Sequence, residues 1–149
     1  MDSQKITRML SKCEATHKYF TGTFPEDKIE MPMWYPASMV VNLDESSEPG
    51  SHWVAIFAKS PNDAMYFDSY GQQPKGNILA VLKKFRKVTT SDFVIQSIIS
   101  NVCAAYCIYF IYMASKGRNY EEILSSIARR SNMDAFVRSF VIKFIIERE

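Results

Sequence analysis

Alternating apolar and polar positions predict a sheet in the first half of the chain. The stretches GSHWVAIF (51–58) and AMYFDSY (64–70) are strand-like, and the polar turn KSPND (59–63) joins them into an antiparallel hairpin. A further strand is expected at MVVNLD (39–44). The polar residues 44–50 then form the turn that leads from this strand into the hairpin.

Apolar residues at helical spacing predict five helices. They are expected at residues 3–13, 77–87, 102–114, about 120–129 and about 134–147. The third, VCAAYCIYFIYMA, is apolar on nearly every side, which indicates a buried helix, and it is too short to span a bilayer. The last helix carries a core stripe of apolar residues: Met133, Phe136, Val137, Phe140, Val141, Phe144 and Ile145.

Two further segments complete the pattern. Phe24–Ser38 contains three prolines and is expected to be an irregular surface segment, whereas DFVIQS (92–97) is expected to be a short strand. The resulting order of helix, strands, helix, strand and helices indicates the α+β class. The length favours a single domain across residues 1–149.

Composition narrows the functional classes. With 47% hydrophobic residues the chain can build one buried core, and a net charge of +2 permits contact with polyanions without arguing for it. Three cysteines suit a reducing compartment better than a disulfide scaffold. The N-terminus lacks the apolar run of a secretory signal, so we expect an intracellular protein that is neither secreted nor inserted in a membrane.

The hairpin predicts a pair of ionisable side chains. If Ala58 opposes Ala64, the partner of residue i is 122 − i, so that His52 lies opposite Tyr70 and diagonal to Asp68. The same spacing is compatible with a simple surface ion pair at the end of a sheet.

A cysteine is predicted at the start of the buried helix. Ser100 and Asn101 are good N-cap residues, which places Cys103 in the first turn, where free N–H groups and the helix dipole favour a thiolate. Cys107, one turn deeper, is expected to be an inert core thiol. No metal site is expected, because a C-x3-C pair without a second cysteine pair is not a zinc spacing.

Gln96 ends the predicted strand seven residues before Cys103. Its amide could donate a hydrogen bond to negative charge that develops near the sulfur. The alternative is an ordinary polar residue at the end of a strand.

The ordered series His52–Trp53, Asp68, Gln96 and Cys103 resembles the adenovirus-type cysteine proteases, including those of Maverick/Polinton-like elements. More distantly it resembles SUMO-specific and other ubiquitin-like-protein proteases. The interval from glutamine to cysteine, the C-x3-C pair and the stretches YFTGTF (19–24) and VVNLDESSEPGSHW (40–53) are also similar to the adenovirus enzymes.

The resemblance implies a fold and a set of roles. The fold would be a small mixed or antiparallel sheet with a central buried helix that carries the nucleophile. Cys103 would be the nucleophile, His52 the base and Asp68 the residue that orients His52. Gln96 would form the oxyanion hole, and Trp53 could wall the substrate site, unless it is a core tryptophan.

The resemblance also implies a thiol endopeptidase that cleaves viral or mobile-element precursor proteins next to glycine during particle maturation, in the host nucleus or the virion. The sequence itself requires no cofactor, although relatives are activated by DNA or by a peptide. A basic stretch could contact DNA weakly, or it could be an ordinary solvated helix face. Its cations are Lys83, Lys84, Arg86 and Lys87.

Two departures from the adenovirus pattern keep alternatives open. Asp68 stands where those enzymes have glutamate, and Ala104 stands where a glycine commonly follows the nucleophile. The extra methyl group could narrow the acyl site. The alternatives are a protease that acts on ubiquitin or SUMO conjugates of the host, and a catalytically weak binding module with the same fold.

Overall fold

The strands that the structure describes form one mixed sheet. A computed structural model describes residues 1–43, 52–92, 94–95 and 102–146. Within these ranges the sheet has five strands in the order β1-β2-β3-β4-β5. The two outer pairs, β1–β2 and β4–β5, are parallel, and the two inner pairs are antiparallel. The strands are β1 (Phe20–Pro25), β2 (Ala37–Asn42), β3 (Trp53–Ser60), β4 (Asp63–Phe67) and β5 (Lys87–Thr89).

Five α-helices accompany the sheet in the described ranges, so the predicted α+β class is confirmed. They are α1 (Ser3–Lys12), α2 (Gly76–Leu82), α3 (Cys103–Ser115), α4 (Tyr120–Ala128) and α5 (Met133–Phe140). A 3-10 turn (Glu26–Lys28) follows β1, and a π-helical segment (Val141–Ile146) continues α5. Side-chain oxygens cap three of the helices, as short polar residues do at N-termini: Asp2, Asn119 and Asn132. No helix of the described ranges has the length and apolar character needed to cross a bilayer.

Several predicted boundaries were wrong where local sequence signals were weak. The segment Phe24–Ser38 is not wholly irregular, because β1 runs to Pro25 and β2 starts at Ala37. The strand β1 was not recognised because it contains a glycine and ends in a proline, both of which an edge strand tolerates. The predicted helix 77–87 ends at Leu82, and β5 follows from Lys87.

The segment before α3 also differs from its prediction. Of the strand expected at 92–97, residues 92, 94 and 95 are not in a strand, and the rest lies outside the described residues. The N-cap of α3 is Val102, one residue later than predicted. Ser100 and Asn101 lie outside the described residues, as do all the residues of the turn expected at 44–50.

The two faces of the sheet bury separate apolar clusters. Alternate residues of β3, such as Ala55 and Phe57, face a large cluster that includes nearly all of α3, and the intervening residues face α2. The ring of Phe67, the last residue of β4, stacks on Phe110 of α3 with centroids 4.7 Å apart. This packing fixes the end of β4 against the helix that begins at Cys103.

The hairpin register follows the predicted rule. Ala58 pairs with Ala64, and the ladder continues in the same register to Ala55 and Phe67. There β4 ends, three residues earlier than the sequence suggested, and Asp68 starts a turn. His52 precedes β3, but its carbonyl oxygen still accepts a hydrogen bond from the Leu43 N–H at 3.0 Å. Because His52 and Asp68 both lie just outside the strands β3 and β4, their side chains can turn toward the end of the sheet.

Candidate active site

His52 and Asp68 form the central contact of the site. The Nε2 atom of His52 lies 2.7 Å from the Oδ1 atom of Asp68, and both residues are buried. Since a carboxylate only accepts hydrogen bonds, Nε2 carries a proton, and the second ring nitrogen, Nδ1, is left as the basic atom of a neutral ring. The predicted proximity of these two residues is therefore present in the structure.

A tight turn after β4 holds the Asp68 carboxylate in place. Its Oδ1 atom also accepts a hydrogen bond from the backbone N–H of Tyr70 at 2.9 Å, and its carbonyl oxygen accepts one from Gly71 at 2.9 Å. Gly71 has a φ of 70°, in the left-handed region that favours glycine. The carboxylate is thus fixed by its own backbone before it contacts His52.

Cys103 completes the group of side chains. It is the first residue of α3 and is 2% exposed. Burial, the largest single influence, lowers the pKa of His52, but the hydrogen bond to Asp68, the proximity of Cys103 and the charges of both residues outweigh it and raise that pKa to about 9. The Nδ1 atom of His52 makes no hydrogen bond within the usual distance and angle limits. The contact between His52 and Cys103 is therefore longer or less well aligned than a hydrogen bond, as is common for catalytic pairs without substrate.

The second cysteine of α3 has different surroundings. Cys107 is fully buried, and burial raises the pKa of its thiol well above the ordinary value. It belongs to the large apolar cluster, as expected for a core thiol. Among the described residues no group of three or more His, Cys, Asp or Glu side chains is arranged to hold a metal ion.

Tyr70 contributes an aromatic ring that the sequence reasoning did not assign to the site. Its ring stacks on that of His52, with centroids 4.2 Å apart and an angle of 16° between the planes. A signal was available, because the 122 − i rule places Tyr70 directly opposite His52. Burial, followed by the charges of Cys103, Asp68 and Asp134, raises the pKa of Tyr70, so its phenol is neutral around pH 7.

Gln96 lies outside the described residues, so its role stays a prediction, but the preceding residue is bonded to the Asp68 turn. The N–H of Ile95 donates to the Ser69 carbonyl at 3.1 Å. The hydroxyl of Tyr106, one turn from Cys103 on α3, lies 3.3 Å from the Ile95 carbonyl oxygen, but its single hydrogen is donated to the Asp134 carboxylate at 2.5 Å. Ile95 is therefore tied by a hydrogen bond to the turn at residues 68–71 and only lies next to α3.

The remaining predicted residues lie apart from this group. Trp53 is 5% exposed and belongs to the apolar cluster under α3, which agrees with the core alternative; its role as a substrate wall stays a prediction. Lys87 pairs with Asp63 at the start of β4, roughly 16 Å along the strand from Asp68. The four cations of the basic stretch are exposed there, and their contact with DNA also stays a prediction.

Comparisons with known proteins agree with this arrangement. The chain is 31% identical over 98 residues to a protein named as a thiol protease of Acanthamoeba polyphaga mimivirus, covering 58% of this chain and 32% of that protein. It is 26% identical over 110 residues to a cysteine protease of African swine fever virus, covering 65% of this chain and 40% of that enzyme. No family model matches. The aligned region thus spans about a third to two fifths of these relatives.

The fold is also that of a known protease. The crystal structure of the African swine fever virus protease matches 97% of this chain and 66% of its own length, with a TM-score of 0.61 and 17% sequence identity. That enzyme belongs to the fold group of adenain and the SUMO and ubiquitin-like-protein proteases. The homologues of this chain are therefore viral cysteine proteases, as its ordered residues suggested.

Proposed function

We propose that this chain is a cysteine endopeptidase domain in which Cys103 is the nucleophile, His52 the general base and acid, and Asp68 the residue that orients His52. The observation that carries the proposal is the 2.7 Å contact between His52 and Asp68, with Cys103 acting on the same imidazole. The viral cysteine protease homologues support it independently.

The chemistry follows from the proton positions. Nδ1 of His52 takes the thiol proton of Cys103, and the thiolate attacks the peptide carbonyl carbon, forming a C–S bond and an oxyanion. Nδ1 then returns the proton to the leaving amine as the C–N bond breaks, which leaves a thioester on Cys103. Water attacks the carbonyl carbon of the thioester as Nδ1 of His52 takes one of its protons. The C–S bond then breaks, the carboxylic acid product leaves, and Cys103 and His52 share that proton as they did at the start.

Asp68 has two tasks in this cycle. Its Oδ1 atom holds the proton on Nε2, so that Nδ1 is the nitrogen available to Cys103, and its charge stabilises the imidazolium formed during attack. In our proposal the oxyanion is bound by the backbone N–H of Cys103 and the side chain of Gln96. Ile95, whose N–H donates to the Ser69 carbonyl, supports that role because it ties the start of the segment that carries Gln96 to the Asp68 turn.

The substrates we propose are viral or mobile-element precursor proteins, cut next to glycine during particle maturation. The viral origin of both relatives supports this class. Ala104, next to the nucleophile, is buried in the apolar cluster around α3, and the preference for glycine at the cut rests on the resemblance to the adenovirus-type proteases. Cleavage of ubiquitin or SUMO fusions in preference to glycine-containing precursor peptides would favour the deubiquitinase alternative.

The test is covalent labelling with a glycine-ended peptide vinyl sulfone, followed by mass mapping. We expect one adduct on Cys103, a loss of about 10³-fold or more in labelling rate in His52→Ala, and no loss in His17→Ala, which removes the exposed histidine. Cys107→Ala should label like the parent chain. Labelling of the three cysteines (Cys13, Cys103 and Cys107) at similar rates, independent of His52, would contradict the proposed catalytic pair. That result would favour the binding-module alternative.

A further inference from the structure

Two exposed apolar side chains lie side by side in the loop between the 3-10 turn and β2. Met33 is 90% exposed, more than any other large apolar side chain that the structure describes, and the neighbouring Trp34 is 51% exposed. Single apolar residues are common on protein surfaces, but adjacent ones that protrude from a loop suggest a contact with an apolar partner. We call Met33 and Trp34 the apolar tip.

The apolar tip lies next to the basic stretch. Tyr35 directly follows Trp34, and its ring meets the ring of Phe85 edge to face, with centroids 6.4 Å apart. Phe85 is buried in the middle of the basic stretch, and two exposed cations stand on either side of it in the sequence: Lys83, Lys84, Arg86 and Lys87. The contact between Tyr35 and Phe85 therefore brings the apolar tip and four positive charges to one surface.

This surface lies at the end of the sheet that is remote from the candidate active site. Ala37 at the start of β2 and Lys87 at the start of β5 both lie level with the turn between β3 and β4. We call this the far end of the sheet. His52 and Asp68 lie at the opposite end, before β3 and after β4. A partner bound at the far end therefore leaves the candidate active site open.

The chemistry of this surface suits the interface of an anionic bilayer. Tryptophan is enriched where head groups meet acyl chains, and apolar side chains gain free energy by inserting there. Each lysine or arginine near a negatively charged lipid surface adds to the attraction. Glu30, three residues before Met33, and Asp63, opposite Lys87, offset part of the positive charge. A nucleic acid would also attract the cations, but it gives an exposed methionine no apolar surroundings, and a protein partner would need a pocket for it.

We propose that the far end of the sheet is a peripheral membrane-binding surface for anionic lipids. The apolar tip inserts at the interface, and the basic stretch binds the head groups. This mode of binding needs no helix that crosses the bilayer. The inference does not depend on the proposed function. Taken together, the two place a protease on a lipid surface with its candidate active site directed away from the bilayer.

The experiment is sedimentation of the full chain with vesicles of phosphatidylcholine, either pure or with about 30% phosphatidylserine. We expect binding to the anionic vesicles to exceed binding to the neutral ones at least about 10-fold, and to weaken as salt is added. The double variant Met33→Ser with Trp34→Ser should reduce binding to the anionic vesicles about 5- to 20-fold. The double variant Lys83→Gln with Lys84→Gln should reduce it by a similar factor.

Matched controls remove the same kinds of side chain elsewhere on the surface. Ile142→Ser removes another exposed apolar side chain, and Lys5→Gln with Lys12→Gln removes two exposed lysines of α1. Both should bind the anionic vesicles like the parent chain. Thermal unfolding of each variant checks that it is folded.

Tryptophan fluorescence follows the apolar tip directly. The chain has two tryptophans, and Trp53 is buried, so a blue shift on addition of anionic vesicles, with quenching by brominated lipid, reports Trp34. Trp34→Phe should bind the vesicles without this shift. Equal binding to neutral and anionic vesicles, or unchanged binding in either double variant, would overturn the proposal. So would a chain that binds duplex DNA through the lysines and does not bind vesicles, because the basic stretch would then be a nucleic-acid surface.

Discussion

The first and second turns of α3 each carry a cysteine, and the two thiols are almost equally buried, at 2% for Cys103 and 0% for Cys107. Exposure in the free chain therefore does not distinguish them. Cys107 is surrounded by apolar side chains, and burial raises the pKa of its thiol. Cys103 lies beside an imidazole that is itself fixed by a carboxylate and covered by a phenol.

The difference between the two turns lies in what the strand ends bring to them. The hairpin ladder stops at Ala55 and Phe67. Asp68 follows β4 directly, His52 directly precedes β3, and His52 interacts with Cys103 at the start of α3. One turn further, α3 packs on the interior of the sheet, where strand residues can offer only apolar side chains. In the function that we propose, the reactivity of a cysteine in this helix therefore depends on where the sheet ends.

Removing the Asp68 carboxylate should remove most of the expected difference in reactivity between Cys103 and Cys107. In Asp68→Asn the amide can donate as well as accept, so the proton on Nε2 of His52 is no longer enforced, and the imidazolium loses its counter-charge. We expect kcat/KM on a glycine-containing peptide to fall on the order of 10³-fold, with Cys103 labelling falling in parallel.

The matched control is Asp63→Asn, at the opposite end of β4, which should change the rate less than twofold. A rate in Asp68→Asn within threefold of the parent chain would mean that the 2.7 Å contact is structural and that Asp68 does not orient a catalytic base.

Sequence reasoning reached the centre of this site because it depends on periodicity. Antiparallel pairing with a period of two places His52, Asp68 and Tyr70 at one end of one hairpin, whatever the rest of the fold. The presence of each helix was predictable for the same reason. The strands β1 and β5 were not predictable, because each is held by a parallel partner that is distant in sequence. The end of α2 was missed along with β5, which follows it.

The stacking of Tyr70 on His52 was missed for a different reason. The register placed it opposite His52, but an aromatic residue on a hairpin is usually part of a core, and pairing alone does not say whether two rings will stack. The stacking depends on the turn at residues 68–71, where β4 ends earlier than its apolar pattern suggests.

The pH dependence of turnover should separate the two roles of His52. With a pKa of about 9, His52 keeps its proton through neutral pH and can protonate the leaving amine. We expect kcat/KM to fall above about pH 9, whereas alkylation of Cys103 by iodoacetamide, which needs no proton donor, should not fall there. A turnover rate that still rises between pH 8 and pH 10 would contradict the imidazolium as the acid.

The free energy of unfolding should depend on pH because of the same imidazole, that of His52. The pKa of His52 in the folded chain lies above its ordinary value of 6.5, so the folded state binds this proton more tightly than the unfolded state. The resulting stabilisation is fully present below about pH 6.5 and is lost as the pH rises through 9. Urea titrations should show this decrease in the parent chain, and a smaller one in Asp68→Asn.

The smallest expected effect concerns the inert thiol. Cys107→Ser would bury a hydroxyl group among apolar side chains, and we expect the free energy of unfolding to fall by about 1–2 kcal/mol, less if the hydroxyl bonds to the carbonyl one turn earlier. The labelling rate of Cys103 should stay within twofold, because Cys107 touches neither the proton path nor the reacting bond. A large loss of labelling in a folded Cys107→Ser protein would mean that the second turn of α3 sets the position of the first, and that the two thiols are not independent.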